Sequence, residues 1–136
     1  MAPDERPSDI VPVLVAMLVC DTAAADPSTG KKSLIGIFDR VWATKFPTQR
    51  AITIYAKLTD AQGYYRVKVR YVQTGTGQTL AETEGEARMA DRLVSAEFVL
   101  ETPPLPIPEA GRYEFQLWMN DVFVGSTFID AAPPKT

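Results

Sequence analysis

The sequence predicts an all-β chain, an antiparallel two-sheet sandwich of the immunoglobulin-like kind. Three observations predict it. Short segments rich in β-branched and aromatic residues recur at regular spacing with turn formers between them. No stretch keeps a helical period. And a tyrosine, Tyr113, stands at the entry to the penultimate segment, where sandwiches of this class place one. At 136 residues, 46% hydrophobic and 23% charged, the chain suits one domain around one core. We expect a flexible N-terminal arm over 1–9, a single β-sandwich domain over 10–130 and a flexible tail over 131–136.

The first strand is expected over Val11–Cys20. Both of its faces are apolar: Val13, Val15, Met17 and Val19 on one, Leu14, Ala16, Leu18 and Cys20 on the other. A strand apolar on both sides is covered twice. Asp21–Lys32 reads as a long connection holding Pro27 and Gly30. Ser33–Trp42 is the next strand, with Gly36 marking a bulge or a close backbone approach, and Phe46-Pro47 ends it.

Ala51–Thr59 alternates, Ile52, Ile54, Ala56 and Leu58 against Thr53, Tyr55 and Lys57. A hairpin loop over Asp60–Gly63 leads to Tyr65–Tyr71, where Tyr65, Val67, Val69 and Tyr71 oppose Arg66, Lys68 and Arg70. Gln73–Gln78 is a second turn, followed by a strand over Thr79–Glu84 and a polar connection over Gly85–Arg92 with room for a short helical turn. Leu93–Glu101 is a strand. Thr102–Pro108 is proline-rich, so it crosses an end of the fold rather than joining a ladder. Arg112–Met119 and Val122–Ile129 form a hairpin through Asn120-Asp121, residues that tolerate positive φ. In the stretch Glu109–Phe115, Tyr113 is the corner tyrosine whose hydroxyl bonds back to the backbone, and Phe115 points into the core.

Three of these stretches carry a resemblance: Gly30–Asp39 (GKKSLIGIFD), Phe46-Pro47, and Pro108–Asp121 (PEAGRYEFQLWMND). From Gly30 onward the chain resembles an uncharacterised family of small bacterial β-sandwich proteins, a domain of unknown function. The resemblance implies an immunoglobulin-like sandwich in a bacterial protein. It implies no activity and hands over no functional residues.

Composition excludes much chemistry. The chain has no histidine, which removes the commonest general base, the usual partner of a nucleophilic serine or cysteine, and the commonest metal ligand. Its single cysteine, Cys20, leaves no intrachain disulfide and no thiolate cluster, and a lone thiol fits a reducing compartment. A net charge of −3 gives no electrostatic pull on nucleic acid. The run Ile10–Cys20 followed by Ala23-Ala24-Ala25 has some look of an export signal. However, Asp4, Glu5 and Asp9 outnumber Arg6 ahead of it, Pro12 interrupts it, and it is too short to span a bilayer. A cytoplasmic location is expected, with export the alternative if 10–25 acts as an atypical signal.

Candidate motifs fall one by one. Gly30-Lys31-Lys32-Ser33 echoes the end of a phosphate-binding loop, but position 25 is Ala25 and the stretch opens a strand. Ser126 after Gly125 lacks the second glycine of a nucleophile elbow. Cys20 sits in the most apolar segment and reads as core. Asp21, Asp26, Asp39, Asp121 and Asp130 fall near strand ends, where loops gathered together would offer calcium or a carboxylate pair; no EF-hand spacing exists and turn formation suffices. The basic stripe Arg66, Lys68 and Arg70, with Tyr55 and Lys57 on the neighbouring strand, is the best face for an anionic ligand. Against it, Glu82 and Glu84 are expected opposite Lys68 and Arg66, balancing the charge. Pro103–Pro108 would suit a partner that reads proline-rich segments, or simply close the end of the sandwich.

No cofactor, catalytic residue or metal site is expected. The leading expectation is a non-catalytic protein-interaction or structural module, with a protein partner or a second copy seated on Trp118, Val13, Val15 and Leu14. Trp118 faces out beside Glu114 and Gln116 in the predicted alternation, and tryptophan is enriched at binding hot spots. The alternative is a module binding carbohydrate or a small anion. A carboxylate-based hydrolase is the remote third reading.

Overall fold

The computed structural model describes residues 6–134. Among them are eleven strands and no helix. They are β1 (Val13–Ala25), β2 (Lys32–Ile37), β3 (Arg40–Trp42), β4 (Thr48–Arg50), β5 (Thr53–Thr59) and β6 (Gly63–Gln73). There follow β7 (Gln78–Met89), β8 (Ala96–Glu101), β9 (Leu105–Ile107), β10 (Gly111–Met119) and β11 (Val122–Ala132). One sheet has the order β2-β1-β5-β8, the other β3-β11-β10-β6-β7, and β4 pairs with β9 in a short ladder of its own. The ladders are antiparallel except that of β11 with β3.

The period-two pattern of the strands builds the core between the sheets. Met17, Val19, Ile54 and Leu58 from one sheet meet Tyr65, Phe115, Leu117 and Ile129 from the other. Tyr71 stacks on Tyr113 and Phe115, with ring centroids 5.5 and 5.0 Å away. Such offset aromatic pairs add to the area they bury. Tyr113 is wholly buried, and its hydroxyl donates to Glu109 O at 2.6 Å while accepting from Glu109 N at 3.1 Å. This is the tyrosine corner expected from the sequence, with Phe115 buried two places on. The last hairpin is also as expected: Asn120 and Asp121 both take positive φ, 49° and 63°, between the paired Met119 and Val122.

Several expectations are corrected. Asp60–Gly63 is not a hairpin loop: β5 and β6 lie in different sheets, so the loop carries the chain across the core. Turn formers serve both jobs, and nothing local distinguishes them. Ser33–Trp42 is two strands, broken at Phe38-Asp39 so that β2 joins one sheet and β3 the other. The connection after the first strand shrinks, because β1 continues to Ala25 and pairs with β2 down to Lys32. Gly85–Arg92 holds no helical turn; β7 runs through it to Met89. Leu93 and Val94 belong to an exposed turn rather than to β8. Leu105–Ile107 does join a ladder, with β4, since a short edge pairing leaves Pro106 free of donor duty.

The packed part also extends beyond 10–130. Pro7 bridges to Tyr64, Ser8 N donates to Tyr64 O at 2.9 Å, and Ala131 and Ala132 pair with β3. The rest of the expected arm and tail, 1–5 and 135–136, lies outside the described residues.

The faces of the first strand change midway. Leu14 pairs with Leu58 and Ala16 with Lys57, so Val15 is an extra, bulged residue. Leu14, Met17 and Val19 therefore point into the sandwich, and Val13, Ala16, Leu18 and Cys20 point out. Part of that outer face is covered by the chain itself. Lys32 Nζ lies 3.9 Å from Glu97 Oε1, although Glu97 is level with Ala16 and Lys32 with Ala25 at the far end of β1. Such a contact requires the β1–β2 hairpin to fold back over the sheet, and beneath that face Cys20, Thr53 and Tyr55 are buried.

Candidate functional site

The five-stranded sheet turns a charged and aromatic face outward. Arg66, Lys68 and Arg70 on β6 stand opposite Glu86, Glu84 and Glu82 on β7. The expected register is off by two residues: the turn sets Gln73 opposite Gln78, one place on, and Leu80, an extra residue between the pairs Val72–Thr79 and Tyr71–Ala81, adds the second. Lys68 Nζ reaches Glu84 at 3.3 Å and Glu82 at 3.7 Å, Arg70 Nε reaches Glu82 at 3.0 Å, and Arg66 pairs with Asp121 at 3.0 Å. Each cation of the stripe already has its carboxylate. Tyr55 and Lys57 do not join it, since β5 belongs to the other sheet and they face the opposite side of the sandwich. There the Tyr55 hydroxyl donates to Glu97, and burial, reinforced by that carboxylate, pushes its pKa up to about 12.

Trp118 points outward as expected, but it is half-buried. The Arg70 guanidinium lies 5.1 Å from its ring centre, Phe123 meets it edge-on at 5.4 Å, and its Nε1 donates to Gln116 Oε1 at 3.1 Å. Its neighbours on the sheet hold it, and only part of the ring is left for a partner. Leu14 leaves the expected partner surface altogether: it packs inward on Gly125, where a Cβ would collide with its side chain. Val13 and Val15, with Val11 just before them, stay at 51%, 55% and 53% exposure. This part of β1 pairs with β5 alone, because β2 meets only Cys20–Ala25.

Of the strand-end acids, Asp21, Asp26, Asp121 and Asp130 have partners within the chain. Asp21 holds Arg50 at 2.9 Å, Asp130 takes Arg112 in a two-pronged pair at 2.8 and 3.1 Å, and Asp26 caps its own turn by accepting from Ser28 N at 2.8 Å. Hydrogen bonds from Arg112 hold the Asp130 carboxyl below its usual range. Among the described residues no three acids or thiols gather closely enough to hold a metal ion. Burial, and next the charge of Asp21, push the Cys20 thiol up from its usual pKa; the thiol is buried, as expected, but on the outer face of its sheet rather than in the core between the sheets. Among the described residues there is no helix long and apolar enough to cross a membrane.

The feature that sequence reading misses is a cleft. The two sheets part along the margin where β7 and β8 face each other, and the opening has two lobes of about 290 and 210 Å³. Phe98 and Leu100 of β8, Ile54 and Val69 of the floor, and Thr83 and Gly85 of β7 line it. It stays open because the inward positions of β7 carry Ala81, Thr83, Gly85 and Ala87, too small to reach across; a Cβ on Gly85 would touch nothing within 4 Å. On the opposite margin Leu14 fills the equivalent gap over Gly125. The signal was present as a run of small residues at alternate positions from Ala81 to Ala87. It acquires meaning only once β7 and β8 are known to be edges.

Two stacked antiparallel sheets, a tyrosine corner and a tight terminal hairpin define an immunoglobulin-like β-sandwich. The chain belongs to a family of unknown function, DUF6941, whose model matches residues 15–131. It is similar to an immunoglobulin-like protein from Pseudomonas aeruginosa known from a crystal structure, at 13% identity, a TM-score of 0.39, and coverage of 87% of this chain and 98% of that one. No curated protein matches the sequence.

Proposed function

We propose that the chain is a non-catalytic protein-interaction module that binds a protein partner or a second copy of itself through the N-terminal half of β1. The observation that carries this reading is the apolar margin of Val13 and Val15, on a strand half with a single ladder partner, and Val11 just ahead of the strand, each more than half exposed. Scattered exposed apolar residues are ordinary, but a cluster at alternate positions along an open strand edge invites a partner. The bulge at Val15 keeps that edge from pairing indefinitely with others of its kind. The charge-paired stripe of Arg66, Lys68 and Arg70 gives no comparable support to an anion-binding reading.

The test is light scattering on the purified chain together with affinity capture from the source cells, using the intact chain and the double variant Val13→Lys, Val15→Lys. Both side chains are exposed, so the variant should fold. Dimer formation at micromolar concentration, or a discrete partner retained by the intact chain and lost by the variant, is the expected result. A strict monomer capturing the same proteins as its variant would defeat the proposal.

A further inference from the structure

We infer that the cleft between β7 and β8 is a peptide-binding site, which takes an extended segment of alternating apolar and basic residues added as a new strand to β8. This site lies on the opposite margin from Val13 and Val15 and does not rest on their role.

Three observations converge on it. First, β8 is an unprotected edge. It pairs with β5 in unbroken register from Leu58–Ala96 to Thr53–Glu101 and, among the described residues, has no partner strand on its other side. Proteins guard such edges with charged side chains, above all lysine, with proline or with bulges. Ala96–Glu101 (AEFVLE) has no lysine, proline or bulge, and its two charges, Glu97 and Glu101, are both acidic, so they repel acidic strands and admit basic ones. An added strand would satisfy its outward N–H and C=O groups.

Second, the cleft has the period of a strand. One lobe is lined by Leu100 but not Phe98, the other by Phe98 and Leu100, and Ile54, Val69 and Thr83 are common to both. The lobes are thus set along β8 at about a two-residue interval, roughly 6.8 Å, the distance between side chains on one face of a strand. Inward residues of an added strand, spaced i and i+2, would each enter a lobe.

Third, the charges around the cleft have one sign. Its charged lining residues are Glu82 and Glu101 in one lobe and Glu84 and Glu86 in the other. Glu82 and Glu84 are held by Arg70 and Lys68, but Glu86 and Glu101 have no cation partner among the described residues. A strand on β8 would set its outward side chains beside Glu97, Val99 and Glu101. Glu97 already has Lys32 and the Tyr55 hydroxyl, so it is at the Glu101 rung that lysine or arginine completes the charge, and opposite charges across strands are favourable.

The probe is an acetylated, amidated peptide, Lys-Leu-Lys-Val-Lys-Leu-Lys, carrying a fluorophore and titrated into the full chain by anisotropy, with amide NMR shifts to locate it. Three comparison peptides share its length: one with glutamate for lysine, one with serine for leucine and valine, and one N-methylated at alternate amides on its pairing edge. Expected are saturable binding of the probe, shifts centred on Ala96–Glu101, and at least tenfold weaker binding of all three comparisons. Glu101→Lys should weaken the probe about tenfold. Gly85→Leu, which grows into open space, should abolish binding while leaving urea stability equal or higher. Val13→Lys, Val15→Lys should bind the probe like the parent. No binding, equal binding of the N-methylated or glutamate peptide, shifts away from β8, or a β8-mediated dimer that excludes the probe would each overturn the inference.

Discussion

Tyr113→Phe is the sharpest probe of what holds the sandwich together at its proline-rich end. The substitution removes one oxygen and leaves the ring in its stack with Tyr71. Two hydrogen bonds go with that oxygen, 2.6 Å to Glu109 O and 3.1 Å from Glu109 N. A protein hydrogen bond contributes about 0.5–1.5 kcal/mol net, so the pair sets a ceiling of about 3 kcal/mol. Glu109 is exposed, and its freed N–H and C=O can bond to water, which removes most of the penalty for stranded groups. The expected loss is about 1–2 kcal/mol. With a urea slope of about 2 kcal/mol per molar for a chain of this size, the midpoint should fall by about 0.5–1 M at unchanged slope. Tyr71→Phe provides the internal scale. Its hydroxyl makes one bond, 2.8 Å to Pro106 O, on the same crossing segment, so it should cost about half as much. If Tyr113→Phe left the midpoint in place while Tyr71→Phe lowered it, the corner would be an ornament and the reasoning would be wrong.

Two further predictions concern backbone strain and acid. Gly36 and Gly77 share a positive φ, 71° and 73°, but only at Gly36 does a Cβ collide, with the Asp21 carboxylate. Gly77→Ala should therefore cost about 1 kcal/mol in urea unfolding and Gly36→Ala about 1.5–2, the excess coming from displacement of the exposed Asp21 from Arg50. Equal costs would show that the close approach is unimportant. The Asp130 carboxyl has its folded pKa depressed by Arg112, so its contribution is present above about pH 4, the unfolded value, and is lost as pH falls through the folded one. Because Arg112 is half-exposed, that contribution is about 0.5–1 kcal/mol after solvent screening. Asp130→Asn should show a deficit of that size at pH 7 that closes towards pH 2; a deficit independent of pH would assign the effect to packing.

Much of the strand content was legible because alternation is a local property. Tyr65–Tyr71 and Arg112–Met119 announce themselves residue by residue, and Tyr113 with Asn120-Asp121 mark positions where only certain backbones and partners suffice. What was illegible is non-local. Whether Asp60–Gly63 returns the chain to its neighbour or sends it to the other sheet depends on strands still to come. The bulges at Val15 and Leu80 reverse a face or slide a register while leaving composition untouched, which misplaced Leu14 and the partners of Lys68 and Arg66. Tyr55 and Lys57 were set beside the basic stripe by the same error of sheet. The cleft is the extreme case, since it is made by side chains that are too short.

The parallel ladder of Arg40–Trp42 with Asp130–Ala132 joins segments some ninety residues apart, and it has consequences for synthesis on the ribosome. The hairpins β1–β2 and β6–β7 can close as soon as they emerge. β6 gains its second neighbour only when Gly111–Met119 arrives, and β3 has none until Val122–Ala132 is made. The nascent chain therefore carries Tyr65, Tyr71 and its central sheet edge uncovered from the synthesis of β6 until β10 arrives. It should need a chaperone's shelter for longer than a sandwich in which both sheets close early, and truncation anywhere before β11 should leave a product for proteolysis rather than a shortened fold.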